Sequence, residues 1–227
     1  MLHVNALHVA QGDFTLTADW SVPQGRRVAV IGPSGAGKST LLGALAGFVP
    51  HTGQIELNGH NVSNAKPDAR GIAMLFQDGN LFPHLTLAQN VALGIAGRVR
   101  DAGLPQVAQA LSRVGLEGYC ARKPGDVSGG QQGRAALARV LVQRKPLLLL
   151  DEPFAALGPA LRDEMLDLVA DLTEDTGATL LMVTHALRDV SRIAQDVIWL
   201  DQGRAHAPQA AERLLADPPP ALQAYLG

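Results

Sequence analysis

A chain of 227 residues, 47% of them hydrophobic and 18% charged, holds enough apolar material for a sizeable core, which excludes wholesale disorder. Its 19 Lys and Arg against 21 Asp and Glu leave a formal charge of −2, which argues against a protein that lives by nonspecific binding to a nucleic-acid backbone. The single cysteine, Cys120, rules out an internal disulfide framework or a multi-cysteine metal site, and no apolar run reaches the roughly 18–20 residues that cross a bilayer.

The N-terminal part reads as two strands. Phe14, Leu16, Ala18 and Trp20 alternate with Thr15, Thr17, Asp19 and Ser21, the period of a half-buried strand. Pro23-Gln24-Gly25 makes a turn, and Val28-Ala29-Val30-Ile31 is a short apolar run of the kind found centrally in a parallel sheet. A glycine-rich stretch and a helix from about Lys38 to Gly47 follow. Gln54-Ile55-Glu56-Leu57 before Asn58-Gly59 predicts a hairpin, because both turn residues tolerate positive φ. From Gln77 to about Arg144 helical spacing takes over. Thr86-Leu87-Ala88-Gln89 has the form of a capping box, and Val107, Leu111 and Val114 recur at helical intervals. Leu147-Leu148-Leu149-Leu150 and Ala178 to Val183 restore the central-strand signal, with Leu161, Met165, Leu168 and Leu172 marking an amphipathic helix between them. Asp196 to Asp201 and a turn at Gly203 suggest a last strand pair, and Pro218-Pro219-Pro220 interrupts the tail. Strands alternating with helices predict an α/β fold.

Three motifs carry chemistry. Gly32-Pro33-Ser34-Gly35-Ala36-Gly37-Lys38-Ser39-Thr40 satisfies G-x-x-x-x-G-K-[ST]. Glycines let successive backbone N–H groups converge on phosphate oxygens, and the helix that follows presents its positive end to the same anion. Lys38 is placed to neutralise the β- and γ-phosphates, and Ser39 to offer its hydroxyl to Mg²⁺. The second motif ends the apolar run with Asp151-Glu152-Pro153, at the strand edge where α/β sheets bind their ligands. Asp151 is expected to hold the metal through water, and Glu152 to orient and polarise the attacking water. The third is Val127-Ser128-Gly129-Gly130-Gln131, in which Ser128 caps a helix running through Ala138 toward Arg144.

In this order the three motifs resemble those of the ATP-binding cassette family, over essentially the whole chain. The resemblance extends to Gln77 in Leu75-Phe76-Gln77, similar to that family's Q-loop, and to His185 in Val183-Thr184-His185, similar to its switch histidine. It implies an α/β P-loop NTPase core with a parallel sheet and an N-terminal antiparallel β subdomain, together spanning residues 1–77 and 145–227. A helical subdomain at 78–144 carries the signature. ATP would lie on Gly32 to Thr40, with Mg²⁺ held by Ser39, Gln77 and Asp151, and with Glu152, His185 and Gln77 serving hydrolysis. The resemblance further implies an ATP-bound head-to-tail homodimer, in which Ser128, Gly129, Gly130 and Gln131 of one copy cover the nucleotide of the other. Departures are visible. Ala155-Ala156-Leu157-Gly158 stands where the family has Ser-Ala-Leu-Asp, Val127 replaces a leucine, and Gln132 and Gly133 replace Arg and Gln. The resemblance implies an aromatic near the first hairpin that stacks on adenine; Phe14 is the nearest candidate, and its place in the Phe14-Leu16-Ala18-Trp20 stripe favours a core role over stacking.

Output must come from another chain. Asp78 to Thr86 looks like the region that receives a permease's coupling helix in importer ATPases, with Leu81, Phe82 and Leu85 forming either a docking groove or a packed loop. Ala46-Gly47-Phe48, Met74 to Gln77, Asn80-Leu81-Phe82, His84-Leu85-Thr86, Asp151 to Phe154 and Pro159 to Arg162 are similar to runs in the ATPase subunits of bacterial thiamine and thiamine pyrophosphate importers. That similarity implies integral membrane permease partners, a periplasmic or extracellular binding protein beyond them, a peripheral place on the cytoplasmic face of the inner membrane, and no nucleic acid. The alternatives are an importer ATPase for a polyamine, iron or an anion, or a soluble cassette ATPase acting on nucleic acid or ribosomes.

Overall fold

The computed structural model describes residues 1–77, 80–96, 99–220 and 222–223. Strands β1 (Leu2–Gln11) and β2 (Phe14–Val22) pair antiparallel, and in β2 Leu16, Ala18 and Trp20 are buried while Thr15, Thr17 and Asp19 face out. After β3 (Arg27–Ile31), β4 (Thr52–Leu57) joins the free edge of β1. It turns through Asn58 and Gly59, both at positive φ, into β5 (His60–Asn61).

Four more strands are β6 (Ile72–Leu75), β7 (Leu147–Asp151), β8 (Thr179–Val183) and β9 (Asp196–Asp201); with β3 they form a parallel array in the order β9-β3-β8-β7-β6. Strand β6 was not expected from the sequence. Its residues belong to the apolar run Ile72 to Phe76, as long a signal as Val28 to Ile31, and it pairs parallel with β7. The two halves are one sheet, because β10 (Arg204–Ala205) pairs parallel with β2 and antiparallel with β9; β11 (Gln209–Ala210) adds to the other end of β9.

Helix α1 (Lys38–Ala46) ends at Gly47, and buried Arg70 donates to the Ala44 and Leu45 carbonyls of its last turn. A guanidinium there meets the negative end of the helix. The expected helical stretch contains α2 (Leu87–Ala96), α3 (Pro105–Arg113) and α4 (Gly129–Leu141). Thr86 and Gln89 cap α2 reciprocally at 2.9 and 3.2 Å. These helices share a core with the sheet: Leu87, Val91, Val107, Leu111 and Leu137 pack in one cluster with Ala73, Leu75, Leu148 and Leu150. In α5 (Pro159–Thr176) the buried stripe is Met165, Leu166, Val169 and Thr173. Leu161, Leu168 and Leu172 flank it half-buried, a rotation of the expected face toward the sheet. Helices α6 (Leu187–Ile193) and α7 (Ala211–Ala216) cover the β9 side.

Register positions the site. Val183 lies level with Val30 on one side and with Asp151 on the other, so the carboxyl ends of β3, β7 and β8 open at one edge of the sheet.

Candidate active site

The loop leaving β3 is built on glycine where nothing else fits. At Gly32 (φ 150°) a Cβ would lie 2.4 Å from the Leu200 carbonyl oxygen, and at Gly37 (φ 100°) it would lie 2.6 Å from Phe14 Cζ. Lys38, only 6% exposed, donates from Nζ to the carbonyls of Gly32 and Pro33, each at 2.8 Å, and so closes the loop over the start of α1. Burial pushes its pKa down, against the opposing pull of Glu152 and Asp151.

Those two carboxylates come from the end of β7. Asp151 is 4% exposed. Burial raises its pKa, while a hydrogen bond from Ser39 holds it down and neighbouring Glu152 raises it further. Its Oδ1 has no hydrogen-bond partner among the described residues. Ser39 and Gln77 line one cleft, and Ser39 bonds the buried Asp151 carboxylate with its orphaned oxygen, which together make a hard-oxygen donor set suited to a small divalent cation. Among the described residues no group of three or more His, Cys, Asp or Glu forms a metal cage, so an ion here would complete its shell with water and phosphate.

Glu152 adopts φ 47°, a left-handed conformation uncommon outside glycine, and its N–H donates to the Val183 carbonyl at 3.2 Å. That turn aims the carboxylate at His185, whose Nε2 stands 2.8 Å from Oε1. A cleft of about 510 Å³ gathers Lys38, Gln77, Glu152 and His185 with Gln11 and Phe14, above Ser34 to Thr40. Five segments far apart in sequence therefore meet around one anion-sized opening.

Phe14 takes its expected place against the core and also reaches the cleft beside Gly37, and Gln11, which no sequence signal marked, lies beside it. Ser128 caps α4 as expected, with its Oγ accepting from the Gln131 N–H at 3.3 Å and the Gln131 amide oxygen accepting from the Ser128 N–H at 2.9 Å. Residues 128–131 do not line the cleft of their own chain; Gly130 faces Leu157, which a Cβ would approach to 3.2 Å.

Of the expected docking stretch, Asp78 and Gly79 lie outside the described residues. Phe82, Leu85 and Thr86 of the rest are tied to one side chain. Asn90, fully buried, accepts from the Phe82 N–H at 2.8 Å and donates to the carbonyls of Phe82, Leu85 and Thr86, leaving the Phe82 ring 46% exposed.

A family model described as ABC transporter matches residues 16–155. Over the whole of both chains the sequence is 56% identical to the thiamine import ATP-binding protein ThiQ of Cereibacter sphaeroides and 54% identical to that of Ruegeria sp.. It is 44% identical to the Brucella suis protein of the same name, across 100% of this chain and 95% of that one. Among solved structures, a dimeric bacterial ABC transporter cassette superposes with a TM-score of 0.82 at 27% identity, covering 93% of this chain and 99% of that one. A dimeric post-hydrolysis ATP-binding cassette bound to ADP and Pi gives 0.81 at the same identity and coverage.

Proposed function

The chain belongs to the ABC transporter family, and from that premise we propose that it is the ATP-hydrolysing subunit of a bacterial importer whose cargo is thiamine or thiamine pyrophosphate. One observation supports the ATPase reading above the others: buried Lys38, Ser39 and the Glu152–His185 pair line a single cleft at one sheet edge, with the orphaned oxygen of Asp151 buried behind Ser39. The cargo rests on the relatives named for thiamine import.

In this reading the N–H groups of Gly32 to Thr40 and the Lys38 ammonium bind the triphosphate. Ser39, Gln77 and Asp151 would hold Mg²⁺, which when bound would help neutralise the phosphate charge. Glu152 polarises water, and His185 holds Glu152 in place and meets the γ-phosphate. The capped N-terminus of α4, absent from its own chain's cleft, completes the cleft of a second copy, so that closure requires the γ-phosphate. Residues 78–144 act as a helical subdomain against a core and β subdomain formed by 1–77 and 145–227. Phe82, projecting from the loop that Asn90 ties down, is a contact for the cytoplasmic side of a permease. Among the described residues no helix is long and apolar enough to cross a membrane. Membrane association then runs through the permease, which places the protein peripherally on the cytoplasmic face of the inner membrane, with a binding protein on the far side.

The test is reconstitution of the full chain with its permease and binding protein in liposomes. ATP-dependent uptake of labelled thiamine is the expected result. Uptake of a polyamine, iron or an anion instead would reassign the cargo, and co-purification with ribosomes or nucleic acid without a permease would overturn the importer reading.

A further inference from the structure

His185 sits on a turn whose shape is set by side chains behind it. Thr184 Oγ1 donates to Asp189 Oδ2 at 2.6 Å and accepts from the Ala186 N–H at 3.1 Å, so one hydroxyl holds the backbone on both sides of His185. Asp189 is 2% exposed. It takes two further bonds from Arg162, Nε to Oδ1 at 2.7 Å and Nη2 to Oδ2 at 2.5 Å. This planar two-point fork fixes rotation as well as distance. Arg162 lies in the first turns of α5, its N–H bonded to the Gly158 carbonyl at 2.9 Å, so the fork is continuous with the Ala155–Gly158 segment.

We propose that Arg162, Asp189 and Thr184 form a positioning relay that sets the orientation of His185 toward Glu152 and ties it to the Ala155–Gly158 segment entering α5. None of the three lines the cleft that holds Lys38, and all three line the smaller cavity of about 230 Å³ behind Glu152 and His185. Joining α5 to α6 does not require them. Arg188 pairs with Asp163, and Arg192 pairs with Asp163 at 3.5 Å and Asp167 at 2.6 Å, on the outer face of the same helix pair. Nor does burial explain Thr184. It is 2% exposed at the end of the apolar strand Thr179–Val183, where valine has the same shape, and its hydroxyl matters only through Asp189 and Ala186. The segment entering α5 lies on the face that carries Leu157 against Gly130, so a displacement of it reaches His185 through a fork with little freedom to absorb the motion.

The relay rests on the reading of His185 as part of the hydrolytic site, and the test separates the two. Single-turnover and steady-state ATP hydrolysis are measured on the full chain carrying Thr184→Val, Thr184→Ser and Asp189→Asn, and on the first and third combined with His185→Ala. Thr184→Val and Asp189→Asn are expected to lower kcat by about 10- to 100-fold, the scale of a small misplacement of a reacting group. KM for ATP stays within about twofold, because the phosphate-binding loop is untouched. Thr184→Ser keeps the hydroxyl and stays near wild type. In the His185→Ala background neither substitution lowers the residual rate further, since residues acting as one unit are not additive. Wild-type kcat in Thr184→Val, or a full additional loss in the His185→Ala background, overturns the relay while leaving His185 in place. Wild-type hydrolysis by His185→Ala overturns the reading of His185, and the relay with it. If Asp189→Asn does not fold, Thr184→Val and Thr184→Ser decide alone.

Discussion

Glu152 Oε1 lies 2.8 Å from His185 Nε2, and the carboxylate reaches that contact from a backbone at φ 47°. Glu152 directly follows the strand that ends at Asp151, His185 lies two residues past the neighbouring strand that ends at Val183, and Asp151 is level with Val183. The carboxylate and the imidazole are thus brought together at the adjacent ends of two paired strands.

Lys38 tests the phosphate side. Its ammonium bonds the Gly32 and Pro33 carbonyls, so Lys38→Ala removes both the loop's tie and the charge opposite the phosphates. ATP affinity should fall by about 10- to 100-fold, the worth of one or two charge-assisted hydrogen bonds. Titration with a fluorescent ATP analogue reads this directly; unchanged affinity would remove Lys38 from the site.

Asp151 carries a pH signature. Burial raises its pKa in the folded protein above the ordinary carboxylate value, so the folded state binds that proton more tightly than the unfolded chain. The ionised form therefore costs stability above the raised pKa, and the cost fades as pH falls through it toward the ordinary value. Nucleotide-free Asp151→Asn should melt at a higher temperature than wild type at pH 7, with the gap narrowing on acidification. Calorimetry across that range checks it, and a lower melting temperature at pH 7 would show that the buried charge is compensated in a way the Ser39 bond does not account for.

Much of this site is legible in the sequence, and the limit has a physical cause. Gly32–Thr40, Asp151-Glu152 and Ser128–Gln131 can be read because each performs its chemistry within a few consecutive residues: a turn, a strand end, a helix cap. The pieces that escape are held by distant partners. Ile72–Leu75 is an apolar run too short to tell strand from helix by itself, and its place is fixed beside Leu147–Leu150. Gln11 reaches the cleft through the pairing of β1 with β2. Arg162 and Asp189 meet across two helices, and neither is marked by its neighbours in the chain. The amphipathic helix marked by Leu161, Met165, Leu168 and Leu172 is α5, and the sheet settles its most buried line on Met165, Leu166, Val169 and Thr173, with Leu161 and Leu168 packed beside it.

Gly158 is the N-cap of α5 at φ −66° and ψ 159°, with no side-chain cap, and a Cβ there would meet nothing within 4 Å. Aspartate fits this conformation and caps the first turn, so Gly158→Asp should stabilise the protein by about 0.3 kcal/mol. Chemical denaturation measures the change; a loss of stability would mean that the segment adopts another conformation in solution.

Ser128→Arg separates cap from cleft. The substitution breaks the reciprocal bonds with Gln131 at the start of α4, at a cost of about 1 kcal/mol, and sets a bulky cation where a second copy's nucleotide would lie. Nucleotide affinity of the single chain should be unchanged, because Ser128 does not line its own cleft. Equilibrium binding by the variant at low protein concentration checks this, and weakened binding would place Ser128 in the cleft of its own chain.

The central claim is that each site is completed by a second copy only when ATP is bound and uncleaved. Glu152→Gln keeps the shape of the side chain beside His185 and removes its negative charge, so ATP should persist. Sedimentation velocity of that variant in saturating Mg-ATP is the direct measurement. A stable dimer that reverts to monomer with ADP is the predicted result, and a species that stays monomeric, even with the permease supplied, would contradict the account.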